Sequence, residues 1–83
     1  MANVFHLNIS SQEKTIYDAN VVSLIVPAES GYMGVLANHA PLIASLVPGK
    51  VTIKEESGDL NTIDLSSEGF LEVLKNNVTV LLT

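Results

Sequence analysis

The stretch KVTIKEESGDLNTIDL, residues 50–65, decides the fold class predicted for this chain. Val51 and Ile53 alternate with polar residues, and a period of two is typical of a strand that buries one face. The triplet Ser57-Gly58-Asp59 then supplies turn residues, which predicts a β-hairpin. The two predicted strands of this hairpin cover residues 50–56 and 60–65.

Similar short apolar segments lie on both sides of the hairpin, separated by polar residues, glycine or proline. They predict further strands at 4–10, 14–17, 21–26, 42–47, 69–74 and 78–82. Residues 18–20 are predicted to separate two of these strands. Pro27 is predicted to end another, because proline cannot donate a ladder hydrogen bond.

No segment shows the 3.6-residue period of an amphipathic helix. Eight to ten short strands with glycine and proline turns indicate an all-β fold, a β-sandwich or a barrel, in one domain spanning residues 1–83. The core is predicted to contain Val22, Leu24, Val26, Val51, Ile53, Val73 and Val80.

The composition excludes several classes of function. The formal net charge is −5, there is no Cys, and the basic residues are Lys14, Lys50, Lys54 and Lys75, with no Arg. Disulfides and cysteine zinc sites are therefore excluded, and a nucleic-acid surface is not expected. No apolar run approaches the ~20 residues needed to span a bilayer, and no signal peptide is visible at the N-terminus. We therefore expect a soluble cytosolic domain.

The chain offers little catalytic chemistry. His6 is predicted to lie at the surface, and His39 has no acidic neighbour in sequence to build a metal or catalytic site. The glycines of residues 31–34 precede no helix, so they predict a loop with a positive φ or a bulge rather than a phosphate cradle. Glu55 and Glu56 point to opposite faces of a predicted strand, at a solvated hairpin tip. No catalytic, cofactor-binding or metal-binding residue is predicted, which favours a binding or structural module.

Several motifs carry a more specific signal. Residues 31–43 read GYMGVLANHAPLI and are followed by Pro48-Gly49. Further segments are FHL at 5–7, GFLEV at 69–73 and NVTVL at 77–81. In order and spacing, these segments resemble the epsilon subunit of bacterial and chloroplast rotary ATP synthases, which corresponds to the delta subunit of the mitochondrial enzyme.

The resemblance implies a two-sheet β-sandwich of about ten short strands, in agreement with the strand pattern. It also implies a non-catalytic rotor subunit of the central stalk, present once per complex and without a cofactor. Such a subunit links the gamma subunit to the polar loops of the membrane c-ring, and it couples proton or sodium translocation to ATP synthesis. Its expected location is peripheral, on the cytoplasmic face of the bacterial inner membrane or the stromal face of the thylakoid, with no membrane insertion.

The resemblance also implies two contact regions. The c-ring contact is expected at Glu29, Ser30, Gly31, Tyr32, Met33 and Gly34. The contact with the gamma subunit is expected at Ser10, His39, Ala40, Pro41, Leu42 and Ile43. Relatives often carry an acid where this chain has Tyr32 and Met33, so a more apolar c-ring contact is expected here. Family members usually continue into an inhibitory C-terminal helical hairpin, which is not expected in this chain because it stops as its last strand ends.

Two alternatives follow from the residues alone. The first is a free-standing β-sandwich that binds a peptide or nucleotide, which would need a pocket with converging polar groups. The second is a small enzyme that uses a metal ion at His39, which would need further ligands brought close by the fold.

Overall fold

Eight strands and no helix make up residues 3–83, the part of the chain that this computed structural model describes. The all-β class predicted from the sequence is confirmed. The strands are β1 (Phe5–Ser10), β2 (Thr15–Ala28), β3 (Gly31–Leu36), β4 (Leu42–Leu46), β5 (Gly49–Glu55), β6 (Leu60–Leu65), β7 (Gly69–Leu74) and β8 (Asn77–Leu82). This number lies at the lower end of the predicted eight to ten and below the ten that the resemblance implies.

The long strand β2 accounts for part of this difference. The break predicted at residues 18–20 is wrong, because Asp18 and Asn20 pair with β1 in the antiparallel ladder. The end predicted at Pro27 is also wrong. Pro27 lies opposite Tyr32 of β3, and its carbonyl oxygen accepts a hydrogen bond from the amide of Val47 at 2.9 Å. Cross-strand pairing thus overrides the local turn preferences, and two predicted strands form one.

A β-bulge divides β2 into two halves with opposite side-chain phase. The register with β5 shifts between Val21 and Ser23. Val21 is buried before the shift, and Leu24 and Val26 are buried after it. The extra residue lets consecutive buried positions change from odd to even numbers. Val22 was predicted in the core, but the bulge leaves it only half-buried.

The two halves of β2 belong to two layers. The first half pairs with β1, and the strand order continues through β8 and β7 to β4. The second half lies between β3 and β5, and β5 pairs with β6. All pairings are antiparallel except β1 with β8. This arrangement is the two-sheet β-sandwich that the resemblance implies, with β2 shared by both sheets.

The core lies between these layers and is entirely apolar within the described residues. Six of the predicted core residues are confirmed as buried: Leu24, Val26, Val51, Ile53, Val73 and Val80. Phe5, Leu7 and Ile9 extend the core from β1. Burial of each such side chain stabilises the fold by roughly 1.5–3 kcal/mol relative to exposure.

A polar contact at the edge of the core connects the two layers. The hydroxyl of Tyr17, in the first half of β2, donates to Oε2 of Glu55 at the end of β5, at 2.7 Å. Burial and then the neighbouring Glu55 carboxylate raise the pKa of Tyr17 to about 12. Glu55 is half-buried, so the prediction of a fully solvated hairpin tip is wrong for this residue and holds only for Glu56.

The structure of residues 3–83 contains no helix long and apolar enough to cross a membrane.

Candidate functional site

The outer surface of the layer β1-β8-β7-β4 carries two of the residues expected to contact a gamma subunit, Ser10 and Ile43. Ser10 lies opposite Leu81, Leu81 lies opposite Phe70, and Phe70 lies opposite Ser45. Ile43 is two residues before Ser45 on β4, so its side chain projects from the same surface. Ser10 and Ile43 therefore share one face but are separated by β8 and β7.

Exposed apolar side chains fill the space between them. Ile43 is 74% exposed, Leu74 53%, Phe70 49% and Leu81 47%. We call these four residues the apolar face. Phe70 and Leu81 are direct cross-strand partners, and Ile43 lies diagonally next to Phe70, so these three side chains form continuous apolar surface, with Glu72 between them and Leu74. Contiguous apolar surface of this kind marks interaction sites more often than single exposed residues do.

Sequence analysis did not identify three members of the apolar face: Phe70, Leu74 and Leu81. A signal was present, because Phe70 and Leu74 occupy the outward phase of a strand whose inward phase, Leu71 and Val73, is also apolar. Two of the three outward positions of β7 are apolar, and because only the inward side chains lie in the core, these two are exposed.

Two shallow depressions lie on this face. One, of about 330 Å³, is lined by Pro41, Leu42, Ile43, Glu72, Val73 and Leu74. The other, of about 250 Å³, is lined by Ile43, Phe70, Leu71, Glu72, Thr79 and Leu81. Ile43 and Glu72 are cross-strand partners and border both depressions. Leu42 packs against the core from β4, so it supports the face more than it presents a surface.

A hydrogen-bonded pair of asparagines holds the loop that leads into this face. Asn38 has a φ of 63°, and its backbone amide donates to Oδ1 of Asn76 at 2.7 Å. In return, Nδ2 of Asn76 donates to Oδ1 of Asn38 at 3.2 Å. Asn76 lies in the turn between β7 and β8, and Leu42 at the start of β4 pairs with Val73 just before this turn, so the loop before β4 is tied to the adjacent end of the apolar face.

His39 lies in this loop and is half-buried. Its Nδ1 is 2.7 Å from the carbonyl oxygen of Ala40, which accepts a hydrogen bond from the ring. Among residues 3–83, no group of three or more His, Asp or Glu side chains is close enough to hold a metal ion.

A polar margin borders the apolar face on the side of β1. His6 is exposed, as predicted, and its Nε2 lies 2.6 Å from Oδ1 of Asp18. Asn20 contacts the other ring nitrogen of His6 at 3.3 Å, and Asn8 donates to Asp18 at 3.3 Å. This margin limits the apolar face to β4, β7 and β8.

The segment expected to contact a c-ring forms a turn and the start of β3. Glu29 and Ser30 are the exposed turn residues, and Gly31 has a φ of 126°, which other residues rarely adopt. The loop predicted for residues 31–34 is wrong, because this segment pairs with β2 as an edge strand. Gly34 has no positive φ, so the conformational role predicted for it belongs to Gly31.

Two larger side chains in this segment behave differently. Tyr32 is 64% exposed, and its hydroxyl accepts a hydrogen bond from the amide of Lys50 at 3.5 Å. Met33 is half-buried and packs against the core. Tyr32 is therefore the large apolar group that this turn presents to solvent.

The turn at Glu29 and the loop at His39 lie at opposite ends of the sandwich. The strand β3 connects them, and its six residues (Gly31–Leu36) span roughly 17 Å. The structure therefore does not bring the two expected contact regions together. The amide of Glu29 donates to the carbonyl oxygen of Ser45 near the end of β4, whereas the loop at His39 leads into the start of β4.

Comparisons with known proteins agree with this architecture. The family described as ATP synthase, Delta/Epsilon chain, beta-sandwich domain matches residues 4–83. The ATP synthase epsilon chain of Thioalkalivibrio sulfidiphilus is 43% identical over 82 residues, covering 98% of this chain and 57% of that relative. The epsilon chain of Dichelobacter nodosus is 36% identical over 81 residues, covering 98% of this chain and 56% of that relative. This chain thus spans little more than half the length of these relatives.

Solved structures extend the similarity. A chain in the cryo-EM structure of the Euglena gracilis mitochondrial ATP synthase, OSCP/F1/c-ring in rotational state 1, matches with a TM-score of 0.87 and 26% identity over 99% of this chain and 51% of that chain. A chain in the central stalk/c-ring structure of the Tetrahymena thermophila enzyme matches with a TM-score of 0.75 and 14% identity, over 94% of this chain and 62% of that chain, which supports the fold alone. Since the family match covers nearly all of the described residues, this chain belongs to the delta/epsilon family of ATP synthase subunits and carries its β-sandwich domain.

Proposed function

We propose that this chain is a non-catalytic rotor component of the central stalk of an F-type ATP synthase. It links the gamma subunit to the polar loops of the c-ring and couples proton or sodium translocation to ATP synthesis. The observation that carries this proposal is the family match over residues 4–83. The similarity in fold to a chain of an ATP synthase structure that includes the c-ring supports it.

The apolar face is the proposed docking surface for the gamma subunit. Ser10, Pro41 and Ile43, which the resemblance implies as gamma contacts, surround or belong to it. Removing apolar surface from water contributes roughly 25 cal/mol per Å². A partner that covers these four side chains therefore stabilises the complex, because apolar atoms that the free domain exposes are removed from water. His39 and Ala40 extend the contact at the loop, and Leu42 supports it from the core side.

The turn at residues 29–34 is the proposed contact with the c-ring. Glu29 and Ser30 offer polar groups, and Tyr32 offers an exposed aromatic ring of a type favoured in interfaces. Gly31 has the positive φ that the turn requires, and Gly34 continues the edge strand that presents Tyr32. Met33 anchors the segment to the core.

The remaining features of the proposal follow from this role. The chain acts as one domain, in one copy per complex, with no catalytic residue, cofactor or metal ion of its own. It lies peripherally at the membrane, on the bacterial cytoplasmic face or the stromal face of the thylakoid. A closely packed apolar core suits it to transmit torque, because close packing resists deformation.

The direct test is a pull-down of the 83-residue chain with the purified gamma subunit of the same synthase, with and without the c-ring. Binding to gamma is expected, and the c-ring should strengthen retention. Tyr32→Ala should remove the added retention and leave gamma binding unchanged. A chain that is folded by circular dichroism but binds neither partner would contradict the proposal.

A further inference from the structure

The apolar face has one ionisable residue at its centre. Within β4, β7 and β8, Glu72 is the single charged side chain. It lies between Ile43 on one side and Thr79 on the other, and it borders both depressions.

The carboxylate of Glu72 is not neutralised within the described residues. The structure of residues 3–83 contains the salt bridge of His6 with Asp18, and no base forms one with Glu72. Lys75 lies three residues further along but beyond β7, in the turn, and does not pair with it. In the free domain, water solvates this exposed carboxylate.

Docking of a partner on the apolar face would change the solvation of the Glu72 carboxylate. A partner that covers Ile43, Phe70 and Leu74 also removes water from Glu72, because the carboxylate stands among them. An unpaired buried carboxylate is costly, and burial is tolerated when a cation and hydrogen bonds compensate for the lost water. The other outward groups close by, such as Thr79, are neutral and cannot supply the compensating charge.

We propose that Glu72 pairs with a lysine or arginine of the gamma subunit and that this pair sets the register of docking. The inference rests on the proposed function of the apolar face. The complementary surface of the partner carries one cation flanked by two apolar groups, which enter the depressions on either side of Glu72. Apolar contact alone would tolerate sliding along the face, whereas a single charge at its centre admits one alignment.

The test compares Glu72→Gln with Glu56→Gln, which removes the same charge from the exposed hairpin turn of the other layer. Dissociation from immobilised gamma subunit is measured for both variants and for the unmodified chain, after circular dichroism has shown equal melting temperatures. Glu72→Gln should weaken binding by roughly 30-fold, mainly through faster dissociation. Glu56→Gln should stay within about twofold, since an exposed charge contributes little.

Two other results separate the inference from the proposal beneath it. If the unmodified chain binds gamma and Glu72→Gln binds as well as Glu56→Gln, or better, the ion pair is overturned while gamma docking stands. If the unmodified chain does not bind gamma, the proposed function fails, and this inference fails with it. A charge reversal, Glu72→Lys, should weaken binding further than Glu72→Gln, and recovery by an acidic substitution of one gamma Lys or Arg would identify the partner.

Discussion

The two outer surfaces of the sandwich expose similar numbers of apolar side chains but arrange them differently. On the layer β1-β8-β7-β4, Phe70 and Leu81 are direct partners, and Ile43 lies diagonally beside them. On the layer β3-β2-β5-β6, Leu36 and Leu60 are exposed, but the row between them contains Ser23 and Lys54. On the first surface two exposed apolar side chains are direct cross-strand partners, and Glu72 is the single charged group among them, whereas on the second surface two polar residues separate the exposed leucines.

This difference shows that exposure alone does not identify a docking surface. Leu36 is 62% exposed, more than Phe70 at 49%. Single exposed leucines are ordinary in soluble proteins, whereas a contiguous patch is not. The pairing register of the strands decides whether exposed apolar residues form a patch or stay isolated, because it determines which outward residues are neighbours. We therefore expect substitutions on the two layers to have different consequences.

The largest expected effect concerns packing, and it is tested with one glycine from each layer. A Cβ at Gly69 of β7 would lie 2.5 Å from the carbonyl oxygen of Leu81, whereas at Gly34 of β3 the nearest atom is 3.9 Å away. Gly69→Ala should therefore lower the free energy of unfolding by about 3 kcal/mol. Gly34→Ala should change it by less than about 1 kcal/mol. Urea denaturation of both variants measures this, and equal stabilities would show that β7 and β8 can separate without cost.

The next effect concerns binding. Ile43→Asp places a charge on the apolar face, and Leu36→Asp places the same charge on the other surface, at residues that are 74% and 62% exposed. Ile43→Asp should weaken gamma binding by roughly 30-fold or more, the effect of an interface hot spot. Leu36→Asp should leave it nearly unchanged. Titration calorimetry with purified gamma subunit measures both, and a larger loss for Leu36→Asp would assign docking to the other layer.

A smaller effect tests the contact between the layers. Tyr17→Phe removes the hydrogen bond to Glu55 and should lower the free energy of unfolding by about 1 kcal/mol near neutral pH. Tyr32→Phe is the matched control, because its hydroxyl accepts only a 3.5 Å hydrogen bond. If both variants lowered the free energy of unfolding by the same amount, the Tyr17 hydrogen bond would not stabilise the contact between the layers.

The Tyr17 contact also predicts a pH dependence. Its pKa is raised from 10.0 to about 12 in the folded state. Its contribution to stability is therefore complete below pH 10 and is lost as the pH rises through 12. The stability difference between the unmodified chain and Tyr17→Phe should narrow between pH 10 and 12 in denaturation series. A difference that stays constant across this range would contradict the raised pKa.

The smallest effect concerns the asparagine pair at the end of the apolar face. Asn76→Ala leaves the amide of Asn38 without its acceptor, at an exposed position where water can replace it. The cost should be about 0.5–1 kcal/mol. Hydrogen exchange of the Asn38 amide should become faster, while exchange in β5 stays the same. Asn77→Ala, one residue further along, serves as the control and should leave the Asn38 amide protected.

The buried core could be predicted from the sequence, whereas the bulge, the edge strand β3 and the exposed apolar face could not. Val51 and Ile53 predict a buried strand face because they alternate regularly with polar residues. The bulge at Val22 lies in a nearly all-apolar run, VVSLIV at 21–26, where no regular alternation shows the change of phase. The apolar face depends on the pairing of β4 with β7, which brings Ile43 next to Phe70 although they are 27 residues apart in sequence, so only the strand order reveals this contact. The edge strand at Gly31 was missed because its two glycines suggest a loop.

Methyl NMR of the 83-residue chain upon addition of the gamma subunit tests the central claim most directly. Each layer supplies isoleucine and leucine methyl groups on its outer surface, so both surfaces report in one spectrum. The account predicts shifts or broadening at Ile43, Leu74 and Leu81, with Ile25, Leu36 and Leu60 unchanged. Perturbation confined to the second group would contradict the assignment of the docking surface to the apolar face.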